Sequence, residues 1–305
     1  MTNDVECHSI ALNRIEPKIA DEIYEVGLPM LLDLLSKHDV ISTFYFTGKF
    51  VELTPEAVDR VKEHGHEIGC HGYDHSPNRA FDLLTYQQQV EELKKAKDTI
   101  ESAAGKIQSF RAPALRINGD TVKVLEEMGF TTDSSICPQR FDGPLTFGSK
   151  RKLKWVTAPR RPYMISYDSI VKSGSSHILE IPISAAIFPF IGTTMRISPL
   201  ITKILQNYLY RESKKTGKPI VFLFHPNECI DAGDKICTSR RTNNPFEYLF
   251  ADLIRHKLKL KNLGLASLRL LDKVLTSAKD YGFEFVSANE YKKLYTKNGD
   301  NTYFP

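Results

Sequence analysis

Short apolar runs alternate with amphipathic stretches along most of the chain. The runs are rich in β-branched and aromatic residues, which is typical of buried strands. The clearest are VISTFYFTG, which ends at Gly48, and PIVFLFHPNE, which begins at Pro219. The stretches between them carry apolar residues at helical spacing, as over residues 16–38, where Gly27 and Pro29 interrupt the pattern. Strands and helices that alternate with short connections predict a parallel sheet or barrel.

Capping residues mark where several of the predicted helices begin and end. Thr54 is a candidate N-cap for a helix over residues 54–64. The stretch TYQQQVEELKKAKDTIESAAG predicts a long helix that ends at Gly105, and NGDTVKVLEEMG predicts a helix that ends at Gly129. Near the end of the chain, residues 262–281 have helical periodicity, and GFEFVSANEYKKLY predicts a last strand followed by a helix.

One segment departs from this alternation. Residues 144–211 lack a regular succession of strand and helix, and PIVFLFHPNE restores it afterwards. A chain of 305 residues is long enough to form one α/β barrel. We therefore predict a single catalytic domain over residues 1–305, with an insertion at residues 144–211.

Composition excludes several classes of protein. The hydrophobic content of 41% and the charged content of 26% are ordinary for a globular protein, and no apolar run is long enough to predict a transmembrane helix. The opening MTNDVECHSI lacks the basic and apolar stretches of a signal peptide, so we expect a cytoplasmic protein. The five scattered cysteines fit reduced thiols. A net charge of +4 is too small to indicate nucleic-acid binding.

Polar side chains follow the predicted strands at the points where those strands end. His71 and His75 stand four residues apart after the short strand HEIGC, and His225 follows the apolar run VFLF directly. Because the carboxyl ends of parallel strands meet at one rim, we expect these groups to converge there. The full candidate set is Asp4, Glu6, His71, His75, Arg111, Pro113, Asp133, His225 and Glu228.

These residue types suit metal-assisted hydrolysis of an amide or an ester. Two histidines and a carboxylate can hold a divalent metal ion with open positions, and such an ion activates water and polarises a carbonyl. A second carboxylate can accept a proton from the water, and a separate histidine can protonate the leaving group. Arg111 can orient a carboxylate through paired hydrogen bonds. One zinc ion is the expected cofactor, and cobalt, nickel or iron fit the same ligands.

Structural roles explain some of these residues equally well when each is taken alone. An isolated H-x-x-x-H pattern also arises from capping or core histidines. Asp4 taken alone is typical of a solvated surface acid. Asp133, beside Ser134 and Ser135, is typical of a residue that caps a turn. The order of the whole set along the chain favours the functional interpretation.

Six stretches, taken in order, resemble the motifs of the polysaccharide deacetylase (NodB-homology) family, in its intracellular branch with an H-P-x-E motif. They are TNDVE, STFYFTG, HGHEIGCHGYDH, FRAPAL, GFTTDSSI and FLFHPNE. The similarity covers residues 1–136 and returns at residues 218–295. The resemblance implies a distorted parallel (β/α) barrel, one divalent metal ion, and hydrolytic removal of an acyl group, usually N-acetyl, from a sugar.

Position within the motifs implies the roles around the metal. His71 and His75 match the metal histidines of the family, and Asp4 matches its catalytic base. The second aspartate of the opening motif, a metal ligand, is replaced by Val5, which makes Glu6 the candidate ligand. If Glu6 cannot reach the metal, Asp4 has to bind it and the base is missing.

The remaining roles also follow from the resemblance. Arg111 and Pro113 match an R-x-P motif whose arginine orients the base, and Ala114 replaces a common aromatic neighbour in the substrate groove. His225 matches the general acid, and Asp133 is the best match for an acid that supports it. The resemblance places Glu228 of the H-P-x-E motif on the substrate side without defining its role.

Several functions are compatible with this set. The first is an N-deacetylase acting in glycan biosynthesis on an N-acylated sugar or oligosaccharide, either free or lipid-linked. The alternatives are a deformylase or cyclic-amide hydrolase of the same fold, and an inactive glycan-binding barrel that Val5 would allow.

Four apolar residues of the predicted insertion form either a lid or a contact with a membrane or polyprenyl carrier, beside the basic run SKRKLKW. They are Ile187, Phe188, Phe190 and Ile191.

Overall fold

The computed structural model describes residues 1–139, 155–233, 245 and 248–298. Its strands are β1 (Thr2–Val5), β2 (His8–Ser9), β3 (Arg14–Ile15), β4 (Thr43–Phe46), β5 (Glu67–Cys70), β6 (Ser109–Phe110), β7 (Thr132–Asp133), β8 (Tyr163–Met164), β9 (Leu179–Glu180), β10 (Ala185–Ala186), β11 (Phe188–Pro189) and β12 (Leu223–Phe224). Eight of them form one sheet in the order β12–β1–β4–β5–β6–β7–β9–β8. Every neighbouring pair in this sheet is parallel except β8 with β9.

Helices surround the sheet. They are α1 (Ile19–Glu22), α2 (Leu28–Lys37), α3 (Gly48–Leu53), α4 (Glu56–Glu63), α5 (Tyr86–Ala104), α6 (Gly119–Glu127), α7 (Gly192–Ile197), α8 (Pro199–Thr216), α9 (Arg255–Lys259), α10 (Leu265–Asp280) and α11 (Ala288–Asn298). Among the described residues, no helix is long and apolar enough to cross a membrane.

The hydrophobic pattern explains why the sheet is covered on both faces. All four residues of β4 are buried, which is typical of a parallel strand packed on both sides. Because side chains alternate along a strand, Phe44 and Phe46 share one face and Tyr45 lies on the other. Tyr45 is level with Asp4 on β1 and with Gly69 on β5. A Cβ atom at Gly69 would lie 2.6 Å from the Tyr45 ring, so glycine is needed for this strand pairing.

The sheet curls until its two sides approach each other through residues 184–191. The Ser184 amide donates to the Val221 carbonyl oxygen at 3.1 Å, and Ile191 forms a parallel bridge with Leu223 of β12. The result is the distorted parallel (β/α) barrel that the motifs predicted. Part of the predicted insertion belongs to the barrel itself, because it supplies β8 and β9 to the main sheet. Residues 144–154 of that insertion lie outside the described residues.

Local signals predicted several helix ends, but the N-cap predicted at Thr54 is wrong: Pro55 occupies that position of α4, and the Thr54 hydroxyl has no hydrogen-bond partner among the described residues. The chain enters α5 through a capping box in which Thr85 and Gln88 bond to each other's backbone N–H, and the helix ends at Gly105, whose φ is 77°. The interruption expected near Gly27 is a turn of π-helix over Ile23–Gly27 between α1 and α2. The strand predicted in GFEFV is wrong: residues 282–287 form no strand. Phe283 instead packs edge-on against Tyr210 of α8, at 4.9 Å between ring centroids.

Candidate active site

His71 follows β5 directly, and its ring is oriented by a backbone group. Its Nδ1 lies 2.7 Å from the Arg111 carbonyl oxygen. A carbonyl oxygen can only accept, so Nδ1 carries the proton and Nε2 presents a lone pair. That Nε2 atom lies 3.7 Å from Asp4 Oδ2 and 3.6 Å from Glu6 Oε2. The arrangement is the one in which a histidine can act as a metal ligand through Nε2.

A tight turn brings His75 to the same point. Gly72 has φ of 69°, and a Cβ atom there would lie 3.0 Å from Pro113 Cγ. Pro113 is buried against this turn, so the R-x-P segment supports the histidine turn by packing. His75 Nε2 then lies 3.4 Å from Glu6 Oε2.

Glu6, His71 and His75 form a cluster that fits a divalent metal ion. One ligand atom from each residue lies within 4.8 Å of the other two. Glu6 Oε2 is buried and has no hydrogen-bond partner among the described residues, which leaves it available to a cation. The donor set of two imidazoles and one carboxylate suits zinc, iron, cobalt or nickel.

The ionisation of this cluster also suits a cation. Burial alone would raise the pKa of Glu6, but His75 and His71 outweigh it and hold that pKa well below its usual value. Burial lowers the pKa of His75 despite the nearby Glu6 carboxylate. An ionised carboxylate and a neutral imidazole are the forms that bind metal, so little proton release is needed on binding.

Asp4 is held by Arg111. Both side chains are buried, and Arg111 Nη1 donates to Asp4 Oδ1 at 2.9 Å. The remaining guanidinium donors reach Thr2 Oγ1 and the carbonyl and hydroxyl oxygens of Ser134, while the Tyr45 ring lies 4.5 Å away. Removing one partner of such a buried pair typically costs about 3–5 kcal/mol, because the other charge is left uncompensated. Asp4 Oδ2 remains directed towards His71 and His225.

His225 follows β12, which pairs with β1 on the side away from β4 and β5. Its Nε2 lies 3.9 Å from Asp4 Oδ2, and its Nδ1 lies 3.0 Å from Glu228 Oε1. Burial would lower the pKa of His225, but the hydrogen bond and charge of Glu228, with Asp4 and Glu6, raise it above its usual value. The carboxylate that touches His225 is therefore Glu228.

Asp133 was expected to support His225, and the structure places it elsewhere. It ends β7, level with Glu180 on the neighbouring β9, and its Oδ1 accepts from Ser135 Oγ. Both carboxyl groups are fully buried, and one oxygen of each, Asp133 Oδ2 and Glu180 Oε2, has no partner among the described hydrogen bonds. Burial raises the pKa of Asp133 to about 6 and raises that of Glu180 well above its usual value. Because two adjacent buried carboxylates repel each other, the raised pKa values favour a proton held between the two groups.

Ala114 contributes its backbone to the site. It adopts φ 54° and ψ 15°, an unusual conformation for a residue with a Cβ atom, and Leu115 after it also has a positive φ. The Ala114 N–H donates to His75 Nε2 at 2.9 Å. A metal ion bound to His75 would occupy the same Nε2 lone pair. The Ala114 N–H could then donate its hydrogen bond to a bound ligand instead of to His75.

Three residues near the site were not predicted from the sequence. Arg196 of α7 donates to Glu228 Oε2, Glu180 lies against Asp133, and the His8 ring lies 6.3 Å from that of His75. His8 stands two residues after Glu6, which was the available signal. Arg196 and Glu180 lie in the irregular segment, where no local pattern pointed to them.

The fold and the site together define a class: a distorted parallel (β/α) barrel with a His-His-Glu cluster at the carboxyl ends of its strands. Residues 20–132 match the polysaccharide deacetylase family, a range that includes His71, His75 and Arg111. The resemblance to this family that was drawn from the motifs is thereby confirmed over this region.

Individual proteins agree with this assignment. The peptidoglycan deacetylase of Helicobacter pylori is 31% identical over 118 residues, which are 38% of this chain and 39% of that protein. The peptidoglycan-N-acetylmuramic acid deacetylase PdaA of Bacillus subtilis is 27% identical over 155 residues, covering 50% of this chain and 53% of that protein. The matches therefore span about two fifths to a half of the length of these relatives. A solved structure of a probable polysaccharide deacetylase from Pseudomonas aeruginosa has the same fold, with a TM-score of 0.57, 14% identity and coverage of 97% and 90%.

Proposed function

We propose that the chain is a metal-dependent hydrolase that removes an N-acyl group, in the first instance N-acetyl, from a sugar. The observation that carries this proposal is the His-His-Glu cluster beside a carboxylate, Asp4, that a buried arginine holds in place. The names of the relatives support it, since both similar proteins are described as deacetylases of peptidoglycan. The location in the cytoplasm and the particular glycan stay predictions.

Glu6, His71 and His75 would hold the metal ion. A bound divalent ion supplies Lewis-acid polarisation of the acyl carbonyl and makes a bound water more acidic. We assign the third ligand position to Glu6, because its Oε2 is closer to both histidines than Asp4 is to His71 and is otherwise unpartnered. Zinc is the proposed ion, and cobalt, nickel and iron suit the same donors.

Asp4 and His225 would move the protons. Asp4 Oδ1 is engaged by Arg111, so Oδ2 accepts the proton of the attacking water, whose oxygen bonds to the acyl carbon. His225 Nε2, which lies 3.9 Å from Asp4 Oδ2, donates its proton to the sugar nitrogen as the carbon–nitrogen bond breaks. The products are the free amine and the carboxylic acid.

The Ala114 N–H would stabilise the negative charge that develops on the acyl oxygen. It is a backbone donor already directed to His75 within the cluster, held there by an unusual backbone conformation. Fixed donors of this kind stabilise a transition state without reorganisation. The small side chain of Ala114 would leave room for a bulky glycan beside the cluster.

A screen of acetylated and formylated nucleotide sugars and oligosaccharides tests the proposal, with and without added zinc. Release of acetate that disappears in His225→Ala supports the N-deacetylase, whereas release of formate alone supports a deformylase. Hydrolysis of a cyclic amide such as allantoin, with no acid released from any sugar, supports the cyclic-amide hydrolase. Glycan binding without turnover and without metal supports the inactive barrel.

We further propose that the substrate is lipid-linked and that the protein docks on an anionic membrane. The tip of the β10–β11 hairpin is apolar and exposed, with Ile187 at 62% and Phe188 at 39% exposure. Phe190 is buried and Ile191 half-buried, so these two belong to the barrel.

The neighbouring helix α8 adds a second exposed apolar stripe. Leu200, Ile204 and Tyr208 stand four residues apart and are all exposed. The exposed charged residues of α8 are all basic: Lys203, Arg211, Lys214 and Lys215. An apolar stripe flanked by basic side chains suits the interface of an anionic bilayer.

A further inference from the structure

Arg196 makes a buried ion pair with the carboxylate that supports His225. Arg196 and Glu228 are each 1% exposed at the side chain, and Arg196 Nε donates to Glu228 Oε2. The other side of the guanidinium is fixed by backbone, because Nη1 donates to the carbonyl oxygens of Lys259 and Lys261, the latter at 2.9 Å. A guanidinium held on both sides has little freedom to release its carboxylate.

Two residues of α7, Gly192 and Arg196, determine where the Glu228 carboxylate can lie. A Cβ atom at Gly192 would lie 2.5 Å from Glu228 Oε1, so only glycine leaves room for the group. Arg196 follows one helical turn later and therefore projects from the same face of α7. The glycine opens the space and the arginine fixes what occupies it.

Contacts connect Glu228 through His225 to Asp4, the candidate base. Glu228 Oε1 lies 3.0 Å from His225 Nδ1, and His225 Nε2 lies 3.9 Å from Asp4 Oδ2. Each oxygen of Glu228 thus has its own partner, one on Arg196 and one on His225.

We propose that Arg196 is a positioning residue: it holds Glu228 ionised and aimed at His225 Nδ1, so that Nε2 keeps its proton directed at the leaving group. This inference rests on the proposed function, because it assigns Arg196 to the delivery of the proton by His225. Burial would raise the pKa of Glu228, but Arg196 and His225 outweigh it and lower that pKa. Arg196 lies outside the region that matches the family, in the predicted insertion.

A double-mutant cycle tests whether Arg196 acts through Glu228. We expect Arg196→Met to lower kcat about 10- to 100-fold and to leave KM within about twofold. A loss of kcat of this size is usual when a residue that orients a catalytic group is replaced. Arg196→Lys should recover part of the loss. In a Glu228→Gln background, Arg196→Met should cause no further loss of kcat, since the group it positions is gone. An equal loss in both backgrounds overturns the inference.

A spectroscopic readout separates this inference from the proposed function. In ¹⁵N-labelled protein the proton on His225 Nδ1 should give a downfield resonance, identified by its loss in His225→Ala. We expect Arg196→Met to shift it upfield while the amide resonances stay dispersed. If Arg196→Met does not fold, Arg196→Lys and the double variant Arg196→Met, Glu228→Gln carry the test. An unchanged resonance in the folded variants refutes the role of Arg196, whereas wild-type kcat in His225→Ala refutes the proposed function instead.

Discussion

The backbone carbonyl of Arg111 accepts a hydrogen bond of 2.7 Å from His71 Nδ1, while the Arg111 side chain holds Asp4. One residue thus orients both a candidate metal ligand and the candidate base. Because β5 and β6 are neighbours in the sheet, the residue after β5 and the residue after β6 meet without any loop rearrangement. The relative position of ligand and base is therefore set by strand pairing.

The first prediction concerns which carboxylate binds the metal. We expect about one divalent ion per chain in protein loaded with zinc, and loss of that ion in His71→Ala and in Glu6→Gln. Asp4→Asn should keep the metal and lose activity, because Asp4 Oδ1 is engaged by Arg111 and Oδ2 serves as the base. Elemental analysis after dialysis measures both. Metal lost from Asp4→Asn but kept in Glu6→Gln would reverse the assignment.

The second prediction concerns the protonation of His225 in metal-free protein. The raised pKa of His225 means that its ring stays protonated to a pH above the ordinary histidine value, with Glu228, Asp4 and Glu6 facing it and His75 nearby. Glu228→Gln removes the largest favourable contribution and should lower that pKa. A titration of the His225 ring resonances by NMR measures the midpoint. A midpoint in Glu228→Gln at or above that of the wild type contradicts the role of Glu228.

The third prediction uses the buried pair of Asp133 and Glu180. Both pKa values are raised on folding, that of Asp133 to about 6, so the folded state binds a proton more tightly than the unfolded state. The stabilisation is complete below about pH 4, near the ordinary aspartate value, and is lost as the pH rises through 6. Glu180→Gln keeps the shape and donates an N–H in place of the shared proton, so it should be more stable than wild type at pH 8.

Urea unfolding at pH 5 and pH 8 measures this difference. Tyr163 and Arg111 also face the pair, and Tyr163→Phe serves as the control because it leaves both carboxyl groups in place. A decline between pH 5 and pH 8 that is as large in Glu180→Gln as in wild type would show that another group is responsible.

Residues that follow an apolar run could be predicted from the sequence. His71 and His225 come directly after buried strands, and His75 follows His71 within the same turn. In a parallel sheet such positions share one rim. The helix over residues 86–104 could also be predicted, since Thr85 and Gly105 mark its ends.

Pairings between distant residues could not be predicted. Glu180 lies in a strand of two residues, too short for any periodicity, and its partner Asp133 is set by the register of β7 with β9. The motif match assigned the carboxylate at His225 to Asp133, whereas the structure places Glu228 there. Arg196, which fixes Glu228, lies 32 positions away from it in the irregular segment, so no local pattern connected the two. The last predicted strand is wrong because residues 282–287 form no strand, and Phe283 packs against Tyr210 of α8 instead.

The last prediction concerns the apolar surface formed by the β10–β11 hairpin tip and helix α8. We expect the protein to float with vesicles that contain phosphatidylglycerol and to remain in the dense fraction with pure phosphatidylcholine, because the basic residues of α8 need anionic lipid. Replacing two exposed apolar residues by acids, as in Phe188→Asp with Ile204→Asp, should abolish flotation. Leu83→Asp is the matched control, since Leu83 is similarly exposed, at 47%, but lies in another segment. Equal flotation of wild type and the double variant, or equal recovery with both lipids, would refute membrane docking while leaving the assignment of the metal site intact.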